Sequence, residues 1–116
     1  MTQVKFLTNW NNKLNNKYFL TIRLLTKSKK QFYTNQLLNY DDVNVLVEDV
    51  LYCKAKLVCL DIEVFKNLPK WLCYVDSGLN KEKFYELLET IYKNKKEWKG
   101  KNTKVIILCY KRIDIY

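Results

Sequence analysis

Between Tyr18 and Leu24 the chain alternates in the manner of a strand. Phe19, Thr21 and Arg23 fall on one face, and Tyr18, Leu20, Ile22 and Leu24 on the other. The second face is wholly apolar and is predicted to turn to a core. The first sets an aromatic ring, a hydroxyl and a guanidinium in line, the residue types of a small polar cleft. The alternative is an edge strand from which Arg23 reaches into water.

Upstream, Val4-Lys5-Phe6-Leu7 reads as a short strand or an extended lead-in. Thr8 or Asn9 caps a short helix over Trp10–Leu14, and Asn15-Asn16 ends it in the C-cap role usually held by Gly. Downstream, the basic run Thr26-Lys27-Ser28-Lys29-Lys30 predicts a loop, and Phe32-Tyr33 leads into a left-handed turn at Asn35. Val43–Val47 has strand composition, and Glu48-Asp49 predicts a turn. The long segment Leu51–Phe65, apolar on both faces in its middle, reads as a strand in the heart of a barrel or sandwich. Asn67-Leu68-Pro69 breaks it, and Pro69 opens a short helical turn through Tyr74.

Asp76-Ser77-Gly78 then makes a corner before the clearest helix, near residues 80–93. Asn80 caps it, and Phe84, Leu87, Leu88 and Ile91 form a core-facing stripe at i, i+3, i+4 and i+7. Lys93, Lys95 and Lys96 crowd its C-terminus, where the helix dipole favours cations. Gly100 turns the chain into Lys104–Arg112, apolar on both faces and therefore a central strand. The pattern predicts one α+β domain over residues 1–116, a small β-barrel with a short N-terminal helix and one longer helix late in the chain.

Composition agrees with a folded chain: 48% of the 116 residues are hydrophobic and 15% aromatic, which excludes a disordered segment. With only two Gly and one Pro, tight turns must lean on Asn and Asp. The net charge of +9 favours a polyanionic partner, nucleic acid before an anionic membrane. Nearly all the excess is Lys, with Arg only at 23 and 112, which suits phosphate contacts better than bidentate reading of base edges. A Lys- and Asn-heavy composition also arises from AT-rich coding. That leaves open a protein-interaction domain of phage or mobile-element origin whose charge is a by-product.

The four cysteines, at 53, 59, 73 and 109, include no Cys-x-x-Cys pair, and the chain has no His. Zinc ligation lacks its usual spacing and a Cys–His nucleophile is excluded, so no metal or other cofactor is expected. Each Cys is flanked by apolar residues and is predicted to be a buried small hydrophobe. No secretory pattern and no apolar run of spanning length occur, pointing to the cytoplasm and to no membrane partner. A Gly-rich phosphate loop is also missing. What remains for chemistry is Lys, Thr, Tyr, Arg and isolated carboxylates, and polyanion binding is the leading reading.

The order of features resembles the ASCH family, which has a PUA-like β-barrel. The residues that carry the resemblance are Phe6, Trp10, Lys13-Leu14 before a turn, and Phe19-x-Thr21-Ile22-Arg23. Tyr33, Lys54-Ala55-Lys56, Asp76-x-Gly78 ahead of the helix Lys81–Tyr92, and the closing strand Val105–Arg112 follow in the same order. The resemblance implies RNA binding in a cleft around the Thr-Ile-Arg strand. One branch of similar size acts as an amidohydrolase on acetylated cytidine, through a Lys three residues before the Thr, the Thr itself and a Glu just before the late helix. Other members are linked to ribonuclease activity, which here would need Lys, Tyr or Arg in place of His.

Carried over by position, Thr21 matches. Tyr18 stands at the Lys position with Lys17 beside it, and Asp76 falls near the Glu position. Asn35-Gln36 replaces a Gly-Asp turn common in the family. The leading expectation is therefore an RNA or other nucleic-acid-binding module using Arg23, with Lys17, Lys27, Lys29 and Lys30 on the backbone and Tyr18, Tyr33 or Trp71 stacking bases. The alternative is a small hydrolase on modified cytidine or RNA, with Thr21 near the reacting atom, Arg23 as electrophilic stabiliser, Asp76 as acid/base and Tyr18 beside them.

Overall fold

A computed structural model of the chain describes residues 2–114. Its elements in order are strand β1 (Thr2–Phe6), a 3-10 segment (Trp10–Asn15), β2 (Tyr18–Leu24), helix α1 (Lys27–Asn39), β3 (Val43–Val47), β4 (Val50–Val64), α2 (Lys70–Ser77), α3 (Lys81–Tyr92) and β5 (Lys104–Arg112). The five strands form one mixed sheet in the order β1-β3-β4-β5-β2, in which only β1 and β3 run parallel. The α+β class is as expected. Barrel closure is not: the hydrogen-bonded ladder stops at β1 on one side and β2 on the other.

The long strand β4 explains how a single sheet wraps two cores. Its first half pairs with β3 and its second with β5, and register shifts in both ladders bend it. On one face, α1 packs over a cluster that includes Val4, Phe6, Phe19, Val45, Leu57, Leu108 and Tyr110. On the other, α2 and α3 cover Ile22, Phe65, Leu72, Cys73, Phe84, Leu88 and Val105. The prediction that only one face of β2 meets a core is corrected accordingly. Phe19 is as buried as Ile22 and stacks on Tyr110 with ring centres 5.4 Å apart, worth about 0.5–1.5 kcal/mol beyond its area.

Turn chemistry follows the Asn/Asp expectation, with shifted positions. Glu48 and Asp49 both take positive φ, the two-residue hairpin loop that matches strand twist. Asn11 and Asn12 are left-handed and kink the 3-10 segment, whereas Asn16, the predicted left-handed residue, is extended. Gly78 ends α2 at φ 76°, and a Cβ there would meet the Asn11 side chain at 3.2 Å, so the corner needs Gly on both counts.

The largest departure is α1. The run predicted as a basic loop is the first turn of a helix that Thr26 caps through its hydroxyl, which accepts from Lys29 N at 3.1 Å. Asn35-Gln36 is not a turn but mid-helix, and Tyr40 supplies the left-handed C-cap. Buried Gln36 accepts a 2.7 Å hydrogen bond from the Tyr110 hydroxyl, tying α1 to β5. The α3 cap is as read, with Asn80 Oδ1 accepting from Lys83 N at 2.8 Å, but Ile91 lies half-exposed rather than in the core. The cysteines also divide. Cys53 and Cys73 are buried, Cys59 is exposed, and Cys109, its register partner across β4 and β5, is half-buried.

Candidate functional site

Because β2 is an edge strand, its outer backbone groups need partners other than a ladder. One comes from α2: Asp76 Oδ2 accepts from Ile22 N at 3.1 Å. The other oxygen of Asp76 binds the Lys13 ammonium, and this ion pair is almost wholly out of water, with Lys13 3% and Asp76 5% exposed. Lys13 arrives there because left-handed Asn11 and Asn12 reverse the chain just before it. Asn11 Nδ2 bonds Tyr74 O at 3.3 Å, and Asn9 Oδ1 accepts from Leu14 N at 2.9 Å, clamping the segment on both sides.

Burial governs the protons of this pair. Desolvation pushes the Asp76 carboxyl above the usual carboxylate range, and Lys13 and the Ile22 N–H pull it back only in part. Desolvation likewise pulls Lys13 below its ordinary range against the attraction of Asp76. Burial thus disfavours the charged form of each partner.

The pair opens on a pocket of about 180 Å³. Phe6, Trp10, Thr21, Arg23 and Tyr92 line it together with Lys13 and Asp76. Thr21 is buried, and its Oγ1 accepts from Arg23 Nε at 3.3 Å, which leaves the hydroxyl proton free to be donated. Ser77, the other small hydroxyl in the lining, spends its proton on Cys73 O at 2.8 Å. Arg23 is fixed further by Lys5 O at 2.8 Å and the Tyr33 hydroxyl at 3.5 Å, and its guanidinium lies 4.8 Å from the centre of the Phe6 ring. Lys13 Nζ is 5.1 Å from the same ring centre. Arg23 thus joins the two open edges of the sheet, a role the strand pattern could not show.

The sequence-derived residues separate cleanly. Thr21, Arg23 and Asp76 converge on the pocket. Tyr18 and Lys17 do not: both are exposed at the start of β2 and neither lines it. The buried lysine that lines the pocket is Lys13, from the preceding segment. Tyr33 is a core residue, 4% exposed, and cannot present its ring to a base. Trp71 is exposed on α2, away from the pocket lining. Lys27 and Lys30 are exposed on the first turn of α1, and Lys29 is half-buried beside Tyr92. Reading from sequence missed Lys13 as a site residue, and Phe6, Trp10 and Tyr92 as its walls. A lone Lys in an Asn-rich segment carries no periodic signal of burial.

Three roomier clefts, of about 340, 460 and 530 Å³, are lined largely by surface lysines and acidic residues without a buried ionisable pair. Among the described residues no group of three or more His, Cys, Asp and Glu side chains is placed to hold a metal ion. No helix among them is long and apolar enough to cross a membrane. No protein-family model, curated protein or solved structure matches the chain.

Proposed function

We propose that the chain is a small ASCH-like hydrolase that removes an acyl group from the amine of a nucleoside-sized ligand, acetylated cytidine being the model substrate. The observation that carries this reading is the buried Lys13–Asp76 pair opening on the pocket that holds Thr21 and Arg23. A solvated structural ion pair needs no such pocket, and titratable groups displaced by burial in a cleft mark functional sites. At about 180 Å³ the pocket suits one end of a small ligand, such as an acylated amine, with the rest of the ligand lying at its open mouth. The Arg23 bridge between β2 and β1 also supports a PUA-like curl of the sheet, closed by side chains where the ladder is open.

The chemistry follows from the protons. Asp76 takes the Lys13 proton, and the neutral amine accepts the proton of Thr21 as Oγ1 bonds to the acyl carbon. The carbonyl oxygen becomes an oxyanion facing Arg23. Breaking the C–N bond returns the proton from Lys13 to the leaving amine, and water then cleaves the acyl-threonine by the same route. Wild type is expected to release cytidine and acetate, with Thr21→Ala slower by at least about 100-fold and still folded. Mass spectrometry of the products checks this. Equal rates for wild type and Thr21→Ala, or no turnover of any acylated nucleoside, would sink the proposal.

A second reading, a nucleic-acid-binding module without turnover, is favoured by the net charge of +9 and by Lys27, Lys29 and Lys30 at the start of α1. It predicts RNA affinity that falls steeply with salt and is unaffected by Thr21→Ala.

A further inference from the structure

Positive charge gathers at the pocket mouth beyond the one contact that Arg23 makes with the oxyanion, because Lys29 stands beside the Tyr92 wall. Among the described residues the ion pairs are Lys5–Asp49, Lys13–Asp76, Lys56–Asp42 and Arg112–Asp114, so neither Arg23 nor Lys29 has a carboxylate partner. Arg23 is held rigidly by three of its five N–H donors, which leaves two for a ligand. Lys29 reaches back from the first turn of α1, with Nζ 5.8 Å from the centre of the Tyr92 ring that lines the pocket. Burial and the neighbouring charges of Arg23 and Lys95 lower its pKa, and Glu97 offsets only part of that.

Two cations held near each other and half out of water are costly unless an anion joins them. The planar guanidinium offers a fork and the ammonium a point charge, a pairing that suits the several oxygens of a phosphate. We propose that the ligand carries a phosphate bound at the pocket mouth by Arg23 and Lys29, so that it is a nucleotide unit and not a free nucleoside. This rests on the nucleoside-pocket reading above, yet its charge component stands or falls separately. The phosphate could belong to a mononucleotide or to an RNA strand.

Calorimetric titration of the whole chain with cytidine, cytidine 5′-monophosphate and ribose 5-phosphate separates the possibilities. The monophosphate is expected to bind at least about tenfold more tightly than cytidine, as charge-assisted hydrogen bonds would give. In Lys29→Ala that ratio should fall toward one, while exposed Lys83→Ala, outside the pocket lining, keeps it. Equal affinities in wild type, or an equal loss in Lys83→Ala, would mean a diffuse charge cloud and overturn the proposal. If only ribose 5-phosphate and the monophosphate bind, equally and through Lys29, the phosphate site stands and the nucleoside reading fails. If none of the three binds, the phosphate site fails as well. A single-stranded RNA hexamer containing cytidine identifies the source: tighter binding than the monophosphate supports a strand, weaker binding a mononucleotide. Circular dichroism and the melting midpoint of each variant exclude unfolding as the cause.

Discussion

Replacing Asp76 by Asn tests whether burial controls the proton shared with Lys13. Both partners of Asp76, the Lys13 ammonium and the Ile22 N–H, are donors, and a carboxamide offers only one acceptor oxygen. Nδ2 of the new residue can face Lys13 only if the amine is neutral. In the unfolded chain Lys13 has its ordinary value of 10.5. Shedding its proton on folding therefore costs about 5 kcal/mol at pH 7 and about 2 kcal/mol at pH 9, at about 1.36 kcal/mol per pH unit. The figure at pH 7 lies at the upper end of the 3–5 kcal/mol typical when one partner of a buried pair is removed.

The sign is fixed by linkage. A Lys whose pKa is lower folded than unfolded leaves the folded form with fewer protons, so the stability of Asp76→Asn rises with pH toward 10.5. Lys13→Met has the opposite slope. It leaves a carboxyl whose pKa is raised above 3.8, so its stability is greatest in acid and is lost as pH rises through the interval up to the folded value. In the wild type the pair holds one proton folded or unfolded near neutrality, and its contribution is flat. Urea unfolding followed by tryptophan fluorescence from pH 5 to 9 measures all three. Single variants that lose less than about 1 kcal/mol without pH dependence would refute the burial argument. A domain stability of about 5–15 kcal/mol leaves little margin. The double variant Lys13→Met/Asp76→Asn, expected to be less destabilised than the sum and pH-independent, keeps the test available if a single variant does not fold.

Arg23→Ala should lower stability by about 1–3 kcal/mol, because it removes the hydrogen bond across the open edges of the sheet and uncovers the Phe6 ring; an unchanged urea midpoint would remove Arg23 from that role. Tyr110→Phe should cost about 1–2 kcal/mol by leaving buried Gln36 Oε1 without its donor, a loss absent if water replaces the hydroxyl. Burial raises the Cys53 thiol to about 11 and also raises Cys73. Alkylation near neutral pH should therefore modify exposed Cys59 first and reach Cys53 and Cys73 only on unfolding, and mass-resolved peptide mapping showing equal rates would contradict the burial pattern.

Local rules alone were enough for the elements whose own residues supply every partner they need. The α3 helix was legible from Asn80 and its apolar stripe, β5 from apolar residues on both faces, and the hairpin from Glu48-Asp49, because caps, periodicity and turn residues act within a few positions. Of the site, Thr21 and Arg23 were visible as polar groups on a strand face, whereas Asp76 entered only by its position in the family resemblance. The α1 helix was not, since Tyr33 and Gln36 are its buried residues and no apolar stripe runs along it. Its partners, Tyr110 and Arg23, lie on β5 and β2. Lys13 was hidden for the same reason. A lysine enters a core where a distant carboxylate meets it, and here Asp76 lies 63 residues away, on the helix whose Gly78 corner packs against Asn11.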